Sequence, residues 1–384
     1  MSVLVDAGLL QDIKKFGAAD VSECFSCGNC TAICPLSGND GTFPRRMIRY
    51  AQVGMKDALL SSKELWTCYH CGLCSDTCPT QADPGGFMAA ARRYAIASYD
   101  RTRFAWLMYT QPVLASLFAI VLAAFFALFM YAEHGAQSHR SMALFGFIPE
   151  PLIHYTGLVV MVLAFLAGIA GIAAMANGMS RREVKIRGKS RVSGWRALWS
   201  AIGVESIGQR RYRADCATAQ EEKPWYRRRW LIHSLTMWGF LGLLLATVAD
   251  YGLSLIGVKM PGTPVAIWYP TRLLGTLAGF AMVYGVTMFF IDRVRKDNQS
   301  AKNSETADWM LLVLLWLVGV SGLLIELSLY LPQPPTWGYW LFLFHVAVAM
   351  ELILLAPFMK FAHAIYRPVA LYYLARAGGE PSEE

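Results

Sequence analysis

Apolar and polar positions are segregated along this chain. Through residues 1–103 they mix at the spacing of amphipathic helices, as in MIRYAQVGMKDALLSSKELW and GGFMAAARRYAIASYDRTRFAW. Beyond residue 103 the pattern changes. Residues 104–132, 151–180, 231–249, 273–291, 309–325 and 327–350 contain no Asp, Glu, Lys or Arg. A helix that crosses a bilayer needs about 20 mostly apolar residues. Six spans are therefore predicted, centred on 112–131, 154–176, 231–252, 271–291, 308–331 and 339–366. Only the tight turn Pro332-Gln333-Pro334-Pro335 separates the last two. The expected fold class is all-α: a helical domain over 1–103, a six-helix membrane domain over 104–376, and a tail at 377–384. The last helix of the first domain is expected to lead directly into the first span.

Charge adds a direction. The 384 residues are 55% hydrophobic and only 16% charged, too apolar for one soluble domain. Lys and Arg collect before the first span, in the loop 177–229, after the fourth span and at the C-terminal end, 32 in all. Only Arg140, Lys259 and Arg272 fall on the other side. By the positive-inside rule both termini, the first domain and the 177–229 loop face the cytoplasm. The net charge of +8 follows from this bias and needs no nucleic acid to explain it. The basic loop also suits membrane lipid or an acidic partner surface. The opening MSVLVDAGLLQDIKKFG reads as a short amphipathic helix, not as a signal peptide.

Two cysteine runs then give the first domain its chemistry. One is Cys24-x-x-Cys27-x-x-Cys30-x-x-x-Cys34-Pro35, the other Cys68-x-x-Cys71-x-x-Cys74-x-x-x-Cys78-Pro79. This is the ligand spacing of a domain with two 4Fe–4S clusters, in which the fourth cysteine of each run completes the other cluster. Cys24, Cys27, Cys30 and Cys78 are expected around one cluster, and Cys68, Cys71, Cys74 and Cys34 around the second. Gly28 and Gly72 let the backbone turn beside sulfide. Zinc sites would show cysteine pairs, not evenly spaced triplets ending in a cysteine–proline step. The ninth cysteine, Cys216, reads as a free thiol in a polar loop.

Ionisable residues inside a membrane are costly and call for a function. His345 and His363 lie 18 residues apart on the expected sixth span. That is five helical turns, roughly 27 Å, so both rings would point the same way from opposite leaflets. His233 and His363 match in depth near the inner boundary and are the expected axial ligands of an inner haem. His154, which opens the second span on the outer side, is the expected partner of His345 for an outer haem. With no C-x-x-C-H sequence, such haems would be non-covalent b-type. His70 is a candidate for tuning its neighbouring cluster, while His134 and His139 read as solvated. Glu351, Asp250, Glu326 and Lys360 interrupt apolar runs and are candidates for a quinone site or proton path.

CFSCGNCTAICP and CYHCGLCSDTCP resemble the paired motifs of heterodisulfide reductase C-type iron–sulfur subunits. The histidines of the last span resemble those of haem b subunits of the heterodisulfide reductase E and nitrate reductase gamma type. Their fusion in one chain resembles the membrane-subunit family of the quinone-interacting membrane-bound oxidoreductase complexes of sulfate-reducing and some sulfur-oxidising bacteria. That resemblance implies an oxidoreductase subunit in the bacterial cytoplasmic membrane. Electrons would pass between menaquinone, two b haems, two clusters and cytoplasmic flavin- and iron–sulfur-containing subunits, with adenylyl-sulfate reductase as final partner. In the nitrate reductase gamma pattern the outer ligand shares a span with His233, but Leu243 stands there in this chain. Competing readings are a subunit of another respiratory complex of these types, and a non-redox membrane anchor whose cysteines hold zinc.

Overall fold

The computed structural model describes residues 5–37, 42–138, 140–185, 192–210, 212–213, 223–260, 265–296 and 299–377. Every regular element among them is a helix. Residues 378–384 of the expected tail, Cys216 and His139 lie outside the described residues.

The N-terminal domain is a cluster of short helices closed by one long one. Leu9–Lys14 buries Leu9 and Ile13. Between the cysteine runs lie Arg45–Gln52, Lys56–Leu60 and Glu64–Thr67. After them Asp83 caps the helix Pro84–Tyr99 by accepting from the Gly86 backbone N–H. This helix does not run straight into the membrane. It stops at Asp100, whose carboxylate accepts from the backbone of Thr102 and Ala105. A separate helix, Phe104–Thr110, then intervenes, and the first span starts afresh at Pro112. The Asp100 turn and Pro112 are the local reasons.

Among the described residues, six helices are long and apolar enough to cross a membrane: Pro112–Tyr131, Glu150–Arg181, Arg229–Leu255, Pro270–Arg295, Thr306–Ser328 and Thr336–Phe358. Their outer faces carry large exposed apolar side chains, as expected of surface in contact with lipid. Spans three and four approach backbone to backbone. A Cβ at Gly239 would meet the Met282 nitrogen at 2.6 Å, and one at Gly285 would meet the Ile232 carbonyl oxygen at 2.8 Å. Small residues permit this contact, the usual route to tight helix packing in lipid.

The sixth span departs from expectation. The α-helix ends at Leu355, a 3-10 turn covers Ala356–Phe358, and Met359 is extended at φ −114°, ψ −169°. Pro357 lacks an N–H and crowds the preceding turn, which breaks the helix. His363 therefore opens a separate helix, His363–Arg376, and the inference that His345 and His363 share one helix face five turns apart does not hold.

That last helix packs under the N-terminal domain. Tyr366 lies 5.4 Å from Trp66 and 5.2 Å from Tyr99, ring centre to ring centre. Met175 and Met179, from the C-terminal part of the second span's helix, join the same buried cluster. Beside it is a buried polar joint. Arg93 donates to Asp308 Oδ2 at 2.6 Å and to the carbonyls of Phe16 and Asn303. Lys360 Nζ is 3.4 Å from Asp308 Oδ1, and Asn303 donates to Asp83 at 3.0 Å. The Arg93 and Asp308 side chains are only 6% and 2% exposed. Removing one partner leaves a buried charge uncompensated, at a cost of about 3–5 kcal/mol. Arg93→Ala should therefore lower the detergent-solubilised protein's melting temperature strongly, while Lys15→Ala, which removes the exposed pair with Asp12, should barely move it.

Candidate metal centres

The two cysteine runs fold alike. Gly28 and Gly72 sit at φ 91° and 97°, the left-handed region, and each starts a short helix, Asn29–Ile33 or Leu73–Asp76. The first cysteine of each run is extended, and the third lies on the short helix. The two short helices pack together, with Asn29 donating to the Thr77 carbonyl at 2.5 Å. This crosses the runs over. Cys30 feels the thiols of Cys24, Cys27 and Cys78, whereas Cys34 and Cys74 both feel those of Cys68 and Cys71 most and that of Cys30 less. Burial, reinforced by these neighbours, pushes the Cys34 thiol up to about 12 and raises Cys30 and Cys74 too. Such a crowd of thiols holds its thiolates comfortably only around positive charge. Among the described residues, no three His, Cys, Asp or Glu side chains stand close enough to hold a single metal ion.

The runs differ in exposure. Cys27 is exposed and its neighbour Phe25 is 64% exposed, beside a groove that also takes in Arg45. The second run faces the membrane domain. Arg92 donates to the Cys68 carbonyl at 3.0 Å, and Arg229, first residue of the third span, reaches the His70 carbonyl at 3.5 Å. The His70 backbone is left-handed at φ 56°, and its N–H points to Cys68 Sγ at 3.4 Å. Burial first, then the charges of Arg92, Lys360, Arg229 and Arg93, keep the His70 ring neutral.

The histidines separate into one close pair and two lone rings. His233 and His363 are 6.4 Å apart, centre to centre, with planes at 62°. Each has its Nδ1 occupied: His233 by Gln209 Oε1 at 3.2 Å, His363 by the Lys360 carbonyl at 2.6 Å. Burial holds the His363 ring neutral, its pKa lowered to about 4. His154 lies elsewhere, 3.3 Å from Glu150 and with its ring centre 4.2 Å from that of Tyr251, the planes tilted by 41°. His345 meets Ser321 Oγ at 2.9 Å. Among the described residues these last two rings are not in contact. His134 stacks on Tyr131 at the end of the first span.

Three of the four charged candidates have ion-pair partners. Asp250 holds Lys259 and accepts from Thr271, Glu326 holds Arg272, and Lys360 holds Asp308. Glu351 differs: it is 2% exposed and its Oε1 has no partner. The sequence reading missed three residues that touch the histidine pair or lead to it. Tyr69, next to Cys68, lies 5.3 Å from Tyr212, and Tyr212 lies 5.1 Å from His233, centre to centre. The third is Gln209. Tyr69 could have been noticed for its place inside the cysteine run. Nothing local marks Tyr212 or Gln209.

Residues 20–82 match the 4Fe-4S dicluster domain, and residues 108–382 match the family described as citrate utilization protein B. The chain belongs to the citrate utilization protein B family. Over 157 residues it is 27% identical to citrate utilization protein B of Escherichia coli, covering 41% of this chain and 39% of that one. Its cluster domain is 37% identical over 62 residues to the C-type subunit of the H(2):CoB-CoM heterodisulfide,ferredoxin reductase of Methanothermobacter thermautotrophicus, covering 16% of this chain and 34% of the relative. It is also 27% identical over 161 residues to the E-type subunit of the dihydromethanophenazine:CoB--CoM heterodisulfide reductase of Methanosarcina thermophila, covering 40% and 60%. The chain thus spans between a third and three fifths of these relatives. No solved structure matches it. The chain thus joins a domain of the 4Fe-4S dicluster type to a membrane domain of the citrate utilization protein B family, and both halves have relatives among heterodisulfide reductase subunits.

The left-handed glycines are the local test of the cluster fold. A Cβ at Gly28 would stand 2.9 Å from Arg45 Nη1, and the left-handed backbone adds about 1–2 kcal/mol. Gly28→Ala should lower iron per chain, whereas Gly252→Ala, where a Cβ meets open space, should leave it unchanged.

Proposed function

We propose that the protein exchanges electrons between menaquinone and cytoplasmic flavin- and iron–sulfur-containing subunits through haem b and two 4Fe–4S clusters. The observation that carries this reading is the pair His233 and His363. Histidine is a usual ligand of haem iron, and these two rings would be close enough to hold one iron between them, their centres being 6.4 Å apart. With both Nδ1 atoms hydrogen-bonded, Nε2 is the nitrogen left for a metal on each ring. The donor set therefore fits an inner haem. Bound cofactors of these kinds supply one-electron carriers, and the chain supplies their spacing and surroundings.

The cluster assignment is the crossed one: Cys24, Cys27, Cys30 and Cys78 for one, Cys68, Cys71, Cys74 and Cys34 for the other. The mutual proximity of these thiols supports it. The Cys68 cluster would then lie toward the histidine pair, linked by the rings of Tyr69 and Tyr212. The Cys24 cluster would lie toward solvent and the partner subunits, beside exposed Phe25 and Cys27. The charge bias supports a cytoplasmic location for this domain. Glu351, buried and unpartnered, is the proposed proton or quinone residue. A second haem at His345 with His154 rests on the sequence alone. The same holds for a quinone-interacting oxidoreductase complex with adenylyl-sulfate reductase as partner; another heterodisulfide-reductase-like complex would use the same wire.

Two experiments test the reading. His363→Ala should remove one b haem, read from the pyridine haemochrome, and stop quinol-driven cluster reduction; unchanged haem would sink the inner site. Cys78→Ser should alter the EPR signal of the cluster that Cys24→Ser also alters, and not the one that Cys71→Ser alters. A colourless protein containing zinc and no iron would support the non-redox anchor instead.

A further inference from the structure

The segment before the third span ends in an unusual residue. Gly194–Trp199 is α-helical and runs into a π-helical stretch, Ser200–Ile207, that shows Trp195 and Trp199 to the outside and buries Ala197 and Ala201. Gln209 follows. It is only 3% exposed, and its backbone is left-handed at φ 51°. A buried non-glycine residue in that region carries a strain of about 1–3 kcal/mol that its surroundings must impose.

Its side chain reaches one turn of the third span. The amide nitrogen donates to Met237 Sδ at 3.2 Å. That contact orients the amide, because the reverse arrangement would set its oxygen against the sulfur. Oε1 therefore faces the other way and accepts from Ser234 Oγ at 3.1 Å and from His233 Nδ1 at 3.2 Å. An amide oxygen only accepts, so His233 must carry its proton on Nδ1 and keep its lone pair on Nε2.

We propose that Gln209 is the positioning residue for His233: its amide oxygen fixes the imidazole tautomer and orientation, and so sets how tightly His233 holds the inner haem and at what potential. This rests on the haem reading above. His363 donates the equivalent bond to the Lys360 backbone carbonyl, which no substitution at Lys360 removes. Gln209 is thus the adjustable half of the pair. Loss of a partner of this kind commonly changes metal affinity by about 10–100-fold.

The test uses the full chain in detergent. Gln209→Leu removes the acceptor at similar size and should weaken haem retention on dilution by about 10–100-fold. Gln209→Glu keeps the acceptor and adds negative charge beside the ligand. It should retain haem, shift the low-spin ferric EPR signal, and move the ferric-to-ferrous ratio about tenfold toward ferric at the potential that half-reduces wild type; a tenfold change is about 59 mV for one electron. Intact iron–sulfur absorbance in each variant separates these effects from misfolding. Wild-type haem content, EPR signal and potential in both variants would overturn the proposal. A His233→Ala arm distinguishes the other failure: if that variant keeps full wild-type haem, the inner-haem reading itself falls.

Discussion

The Arg93–Asp308 pair fixes how the cluster domain sits on the membrane domain. It joins residues 215 apart in sequence and is nearly dry. In so dry a setting each charge requires the other, since neither can be rehydrated without opening the joint. Lys360 shares Asp308, and Asn303 contributes its carbonyl to Arg93 and its amide to Asp83. Asp83 in turn caps the domain's long helix and accepts from Ser75, inside the second cysteine run. The connection from membrane helix to cysteine loop is made of directional hydrogen bonds, which resist sliding better than apolar contact alone.

Rigidity there matters because electron transfer falls steeply with distance. The second cysteine run touches the membrane domain through the Arg229–His70 bond and the Tyr69–Tyr212 ring contact. Both would stretch if the domain rocked. The apolar floor of Trp66, Tyr99 and Tyr366 supplies the area, and the buried ion pair supplies the register.

Much of this was legible in the sequence, for physical reasons that can be named. The six spans were readable because bilayer thickness sets a minimum apolar length. The left-handed turns at Gly28 and Gly72 were readable because cysteine spacing and glycine are local signals. The sequence sets His233 and His363 at one level from their flanking arginines, and the fold brings the two rings within 6.4 Å, although His363 opens a separate helix and does not end the sixth span. Pro357 is the local signal of that break, because a proline interrupts a helix whatever the charge-free length around it. Gln209, Tyr212 and the Arg93–Asp308 pair could not be read. Each acts across a sequence separation that only the folded chain closes, and no spacing rule links Gln209 to His233 across a span boundary.

The break after Leu355 has a mechanical consequence. Because the chain is interrupted at Pro357–Met359, His363 does not travel with the sixth span. It travels with the helix pinned beneath Trp66 and Tyr99, and hence with the cluster domain, while His233 is built into the third span. The two rings are thus the jaws of a gauge mounted on separate bodies. Their 6.4 Å opening reads out the alignment of domain and bundle. A displacement of one against the other would change that spacing, and it is opposed by the second span, whose Met175 and Met179 enter the domain's buried cluster, and by the Arg93–Asp308 pair.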